Sequence, residues 1–491
     1  MDDISEKNTA QEEPYTVFSP TKILVILLIA SLTGMLSPLT ANIYLPALNL
    51  LQKDLDTTTE LVNLTVTVYM VFQAISPTFW GSLADVWGRR PVYLATLIIY
   101  IGANIGLALT NVYWLLLVLR MVQAFGSSSV IAIGAGVVGD IAEPSKRGGY
   151  FGVYTAGQLL GPVIGPVIGG AVADRLGWRW IFWILVIVSG VALLSGFFFL
   201  PETLRSLVGN GSGYANPTPA QWLRRRRDKS PVSVEPHSTH RFRRIPNFTA
   251  PFLYLLQYDV LLALAYNAFH YTAYYCFSIT TTKLFSSHYG LSELQIGLCF
   301  LCPGVGCVAG SLLEGRIMNH NFRVVAKKRG FPLDKAVVGG KVALEFPIFR
   351  ARLRTMWINA AVAQVICLIY GWLMMVRAPL AVALVLQFLV GYGTTAVMTT
   401  FQTILIDLYP GKGASITASN NLCRCILGAV FTFCMEPGIQ SVGYGWMFTI
   451  VGIILVLSNA FVPLLIHYGS RWRVERAEKE GWYKKEDTHF S

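Results

Sequence analysis

LRMVQAFGSSSV at residues 119–130 is written again, 267 positions later, as LQFLVGYGTTAV at residues 386–397. Gly126 pairs with Gly393, Ser127 with Thr394, Ser128 with Thr395 and Val130 with Val397. Ten residues beyond each copy stands an acid, Asp140 or Asp407, followed by a short turn with Pro144 and Lys146 in one case and Pro410 and Lys412 in the other. GSLAD at 81–85 is likewise echoed by GSLLE at 310–314. A duplicated unit accounts for the repeated pattern and its endings.

Of the 491 residues, 54% are hydrophobic and 13% charged, a balance that a lipid-embedded chain needs and a soluble core does not. Apolar runs of roughly 20 residues, enough to cross about 30 Å of hydrocarbon as helix, recur from Ile23 to Leu465. They predict spans at 23–45, 61–83, 93–110, 113–138, 150–173, 180–200, 254–281, 294–316, 355–376, 379–406, 415–437 and 445–468. The expected fold is an all-α membrane protein of twelve transmembrane helices in two pseudo-symmetric six-helix bundles. Its parts are an N-terminal tail (1–22), a first bundle (23–200), a polar central loop (201–252), a second bundle (253–468) and a C-terminal tail (469–491). The first run is too long for a cleavable leader and stays as a span.

Basic residues resist crossing the bilayer and so mark the cytoplasmic loops. With both termini placed in the cytoplasm, 32 of the 39 Lys and Arg fall on that side, five fall on the other, and Arg120 and Arg424 lie inside spans. The same bias explains the net charge of +12, which anionic inner-leaflet lipid would attract, and excludes a nucleic-acid partner. The eight Cys lie in or beside spans, so neither disulfides nor a metal site is expected, and Cys299 with Cys302 reads as packing. No Gly-rich phosphate loop ending in Lys-Ser or Lys-Thr is present, which excludes an ATP-driven pump; no cofactor and no enzymatic reaction are expected. Duplicated six-helix halves point to a carrier with its solute site near mid-membrane.

GSLADVWGRRP, 81–91, places Asp85, Arg89 and Arg90 on the loop after span two, with Gly81 and Gly88 allowing close backbone approach. This run resembles the loop signature of the major facilitator superfamily, which implies the major facilitator fold. It also implies a cytoplasmic gate in which Asp85 and Arg89 join a charge network, together with Asp140 and Asp407 at the repeat ends. Arg120 inside span four costs at least about 2.5 kcal/mol to insert. With Gln123 and Ser127 on its face, it resembles the superfamily's fourth-span motif for proton coupling and substrate contact. Span five carries GQLLGPVIGPVIGG, with Gly157, Gly161, Gly165 and Gly169 four apart and Pro162 and Pro166 between them; Gly306 and Gly310 of span eight are the expected facing surface. That run resembles the signature of drug:proton antiporters.

Polar stripes at helical period add Thr33, Ser37, Thr40 and Tyr44 in span one, Asn267, His270, Tyr271 and Tyr274 in span seven, and Gln387, Thr394 and Gln402 in span ten. Gln158 of span five joins the same pathway. Asn420 and Arg424, one turn apart in span eleven, supply a second intramembrane cation, and no Asp or Glu is expected near the middle of a span. Two Arg on one cavity favour an anionic substrate. His270 is the span-centred candidate for the proton, with Asp85, Asp140, Asp259, Asp407 and Glu436 nearer helix ends.

LSPLTANIYLPAL (36–48), GVVGDIAE (136–143), PETLR (201–205), VGNGS (208–212) and ASNNLCR (418–424) extend the likeness over nearly all of the chain outside its tails. Together these resemble the fungal twelve-span drug:proton antiporter family, both its quinidine-resistance type multidrug exporters and its citrate or itaconate exporters. Asn319 and Phe349 depart from the acids that the family tends to carry there, which weakens charge pairing in the second half. The resemblance implies a monomeric plasma-membrane exporter that exchanges a small organic solute, with a lean toward organic acids, for protons. The alternatives are export of cationic or amphipathic drugs and a non-transporting sensor of the same fold.

Overall fold

The computed structural model describes residues 15–227, 248–291, 293–331, 337–338 and 341–479. The acidic head (Asp2 to Glu13) and Asn247 lie outside these residues, as do the side chains of Asn63 and Glu436. Ser19 opens the first helix by accepting the Lys22 amide on its Oγ, with Pro20 at the first helical position, where its missing N–H costs nothing. The first six long helices are α1 Pro20–Ile43, α2 Thr59–Trp87, α3 Arg89–Leu109, α4 Tyr113–Ile141, α5 Arg147–Leu176 and α6 Arg179–Phe199. Only Gly88, at φ 113°, separates α2 from α3, a left-handed turn that a side chain would strain.

The second set is α7 Tyr258–Tyr289, α8 Leu301–Lys328, α9 Met356–Met375, α10 Leu380–Leu408, α11 Gly413–Ser458 and α12 Phe461–Lys479. Gly443, at φ 80° and ψ 169°, breaks α11, and the stretch beyond it continues toward α12. Among the described residues nine helical segments are long and apolar enough to cross a membrane; α2, α7 and the first part of α11 are the other long ones. Ile187, Val191, Leu194 and Phe198, three to four apart on α6, are exposed, a face that suits lipid. One antiparallel pair of two-residue strands, Val337–Val338 with Lys341–Val342, qualifies the all-α expectation.

Three boundaries differ from the hydropathy reading. α7 runs on to Tyr289, α8 to Lys328 and α12 to Lys479, because apolarity marks where hydrocarbon ends and not where backbone hydrogen bonding ends. In the extension of α12, Arg476 holds both oxygens of Asp259 at 2.8 Å.

The repeated glycines explain the duplication physically. A Cβ on Gly126 would stand 2.9 Å from the Thr96 carbonyl, and one on Gly393 would stand 2.7 Å from the Asn359 carbonyl. Each therefore seats its helix against the helix before it, α4 on α3 and α10 on α9. Gly157, Gly161, Gly165 and Gly169 face Ser31, Leu39, Asn42 and Ile43 of α1, while Gly306 and Gly310 lie against the Phe388 and Tyr392 carbonyls of α10. The expected meeting of these two stripes is thus corrected: each closes a contact inside its own half.

The halves meet at the end that carries the basic loops. Ala135, Val138 and Phe151 of the first half share one buried cluster with Phe322, Phe349, Leu405 and Tyr409 of the second. α5 packs along α8, where Cβ positions on Gly152 and Gly315 would come within 2.6 Å of the Ser311 and Gly148 carbonyls.

Candidate substrate pathway and gate

At the basic end the positions flagged in the sequence come together. Asp85 pairs with Arg89, whose Nε donates to Asp140 at 2.9 Å and whose Nη2 reaches the Gly411 carbonyl of the other half at 3.4 Å. The second oxygen of Asp85 accepts the Ser415 amide at 3.0 Å, and a Cβ on Gly81 would press the Ala414 carbonyl. Arg90 is spent within its half, on the carbonyls of Phe197 and Leu200. Asp407 is held between two cations: Arg147 of the first half and, at 3.0 Å, Arg352 of its own. Arg352 also donates to the Pro144 carbonyl at 2.7 Å, a second bond across the halves. Burial pulls the Arg352 guanidinium below its ordinary value and the Asp407 carboxylate pushes it back up.

Arg147 and Arg352 escaped the sequence reading, as did Glu202, which caps the Arg89 amide at 2.8 Å and binds Asn216 at 2.6 Å. Arg147 sat inside a count of basic loop residues. Arg352 lies 55 residues from the acid it meets, with no spacing to betray it.

Deeper in the first half, Arg120 is fully buried, its guanidinium 3.9 Å from the Tyr44 ring centre and 4.5 Å from that of Tyr69. Nη1 donates to Gln123 at 2.6 Å; Gln123 donates to Asn104 at 2.7 Å, and Asn104 to the Tyr100 carbonyl. Tyr44 bonds Thr65, Tyr69 bonds Ser127 at 3.0 Å, and Tyr100 bonds Thr40 at 2.6 Å, so the aromatic box is fixed by its own hydroxyls. Nε and Nη2 of Arg120 make no hydrogen bond among the described residues. Among the described residues no ion pair involves Arg120 or Arg424.

Arg424 is half-buried, 4.5 Å from the Tyr271 ring centre, and donates to Asn421 at 2.7 Å. Asn421 donates across the halves to the Gln73 carbonyl at 2.9 Å, and Gln73 to the Ser37 hydroxyl at 3.1 Å. The Ser37 carbonyl accepts the Tyr69 hydroxyl, whose ring flanks Arg120. A continuous polar chain therefore joins the two guanidiniums. Beside it Asn267 donates to Asn420, and Asn420 to Gln402, both at 2.7 Å. Gln158 lies against Gly34 of α1.

His270 stands apart. Its Nδ1 is 3.0 Å from the Tyr266 carbonyl, which makes that nitrogen the donor, and its ring lies 4.4 Å from that of Tyr266; Nε2 has no partner among the described residues. Gln387 bonds Thr281 and lines a tight cleft with Tyr274, Phe277, Phe300 and Pro303, between α7, α8 and α10. Neither intramembrane Arg opens onto this cleft. Glu314 is a buried acid near the basic end of the predicted eighth span, midway along the longer helix α8.

The chain matches the Major Facilitator Superfamily over residues 30–432. It is 38% identical to Citrate exporter 1 of Aspergillus niger, over 96% of this chain and 91% of that protein. It is 30% identical to Quinidine resistance protein 1 of Saccharomyces cerevisiae, over 94% and 86% respectively. The solved proton:xylose symporter XylE superposes with a TM-score of 0.65 at 14% identity, covering 91% of this chain and 97% of its own, a likeness of fold.

Proposed function

The chain belongs to the Major Facilitator Superfamily and is a membrane transporter, and from that premise we propose that it exports organic anions in exchange for protons. The observation that carries the substrate class is Arg120: a fully buried guanidinium whose Nε and Nη2 have no hydrogen-bond partner, and which has no paired carboxylate, among the described residues. Leaving charged donors unsatisfied in hydrocarbon is costly, and a carboxylate fits the planar fork in two bonds. The citrate exporter among its relatives agrees with this class.

In the proposed cycle twelve helical segments cross the plasma membrane, the last running from Gly443 into the start of α12, and both termini lie in the cytosol, in keeping with the basic loops. A monomer suffices. The anion enters from the cytosol, is held by Arg120 and Arg424 through the chain that links them, and leaves on the far side once the basic end has shut. Asp85, Arg89, Asp140, Arg147, Arg352 and Asp407 form the gate that breaks and re-forms as the halves rock.

A second reading, export of amphipathic drugs, has the support of the quinidine-resistance relative. Proteoliposomes with an acidic lumen are expected to accumulate radiolabelled citrate and to lose that accumulation when the pH gradient is collapsed. Uptake indifferent to the gradient refutes the coupling. Uptake of quinidine without any carboxylate selects the second reading.

A further inference from the structure

Proton exchange needs a group that changes charge within reach of the moving interface, and Arg does not titrate near neutral pH. Glu314 meets that need. It is fully buried in α8, where its Oε2 accepts the Asn359 amide at 2.7 Å and its Oε1 stands 3.1 Å from the Thr400 hydroxyl. Among the described residues no ion pair reaches it. The repeat makes this unexpected. Glu314 occupies the place that Asp85 holds in GSLAD, but the position four residues on, Arg89 in the first half, is Met318 in the second.

The hydrogen bonds around Glu314 accommodate its neutral form. Thr400 has one hydroxyl hydrogen and two acceptors at 3.1 Å, the Ala396 carbonyl and Glu314 Oε1. Given to Ala396, as its neighbours Thr399 and Thr403 give theirs to the carbonyl four residues back, that hydrogen leaves the Thr400 oxygen free to accept. A proton on Oε1 then closes the set: Asn359 donates to Oε2, Oε1–H donates to Thr400, and Thr400 donates to Ala396.

The elements around Glu314 supply no rival charge. Tyr392 is the titratable neighbour on α10, and a Cβ on Gly310 would meet its carbonyl. α5 presents Gly148, Gly149 and Gly152, and its Arg147 is committed to Asp407. On the short helix Ile348–Arg352, Arg352 is held by the same acid and Arg350 is exposed, as is Arg316 on α8 itself.

We propose that Glu314 is the proton carrier, neutral in the conformation seen here and ionised when the basic end opens to water; this rests on the antiport reading above. Its neighbours on α8 form the seam that must part. Ser311 donates to the Gly152 carbonyl at 2.7 Å, and Gly315 lies against Gly148. When α5 leaves α8 these contacts break, water reaches the carboxyl, and its proton passes to that water, leaving a carboxylate. A proton from the far side restores the acid in the next cycle, so one proton moves inward per turn.

Two measurements on the full chain in bilayers test this. In infrared titration the wild type is expected to show the carbonyl stretch of a protonated buried carboxyl that disappears as pH rises, and Glu314→Gln is expected to lack that band; an unchanged band in Glu314→Gln overturns the assignment. In proteoliposomes Glu314→Gln is expected to retain citrate counterflow and lose at least about tenfold of its gradient-driven accumulation, the loss of one charge-changing group. Accumulation that keeps its full gradient dependence in Glu314→Gln overturns the proposal. If Glu314→Gln misfolds, Glu314→Asp, which keeps the proton, must shift the pH midpoint of the band, and an unmoved midpoint overturns it as well. A wild type that moves no citrate yet shows the Glu314-dependent band sinks the substrate reading alone.

Discussion

Arg147→Met should loosen the basic end by a calculable amount. The side chains of Arg147 and Asp407 are 2% and 0% exposed, so the pair is buried, and removing one partner of a buried pair costs about 3–5 kcal/mol. The lower figure applies, because Arg352 still neutralises Asp407 at 3.0 Å. Since the Arg147 bond crosses between halves, the cost falls on the closed arrangement, while in the open one both groups gain water. A shift of about 3 kcal/mol is roughly a hundredfold change in the ratio of closed to open.

Spin labels on Lys146 and Arg350, both exposed and beside the gate on opposite halves, would read the separation by pulsed electron resonance in a chain with its eight cysteines replaced. The wild type should give one short distance and Arg147→Met a second, longer population that grows with temperature. Asp407→Asn, which strips the carboxylate from two buried cations, should shift the balance further. Distances unchanged in both variants would refute the idea that these ion pairs hold the basic end shut.

Gly152→Leu should also open that end, since its Cβ would lie 2.6 Å from the Ser311 carbonyl of the other half, and the same labels would show it. Gly161→Leu presses instead on Leu39 within one half, so it should lower the melting temperature, by about 1–3 kcal/mol of overpacking, without lengthening the label distance. Arg120→Lys keeps the charge but loses the fork, and Arg120→Met loses both; citrate KM should rise about tenfold in the first and transport should vanish in the second, measured in proteoliposomes. Asn421→Ala cuts the one bond between the Arg424 end of the polar chain and Gln73, and should reduce the uptake rate about three- to tenfold, the worth of a single hydrogen bond.

The features legible in the sequence were those that helical period and duplication write locally. Asp140 and Asp407 declared themselves by ending two copies of one segment, and Gly126 and Gly393 by sitting at the same place in each, because both glycines do the same packing task. The gate's partners did not, since an ion pair between Arg147 and Asp407 spans 260 residues and leaves no mark on either neighbourhood. The glycine stripe of α5 was visible but its counterpart was not: small residues announce a close approach without naming what approaches. Glu314 was in plain sight in GSLLE, yet hydropathy ended that span near 316. The continuation of α8 to Lys328 carries the helix past that end and encloses the carboxyl in protein.

The two halves, alike in backbone, have diverged in charge. Among the described residues, the first carries a buried cation, Arg120, with donors unsatisfied, and the second a buried acid, Glu314, with no cation paired to it. Neither charge could be tolerated in hydrocarbon as a fixed ornament, and each becomes tolerable when a mobile partner neutralises it: an anion for the guanidinium, a proton for the carboxylate. In the proposed cycle, exchange arises from placing the two needs on opposite sides of the moving interface. The sharpest check is a chain bearing Glu314→Gln: it should exchange one labelled carboxylate for another across the bilayer, since Arg120 is intact, while being unable to concentrate either. A chain that concentrates carboxylate without Glu314 would show that the proton travels elsewhere and that the asymmetry of the halves serves some other end.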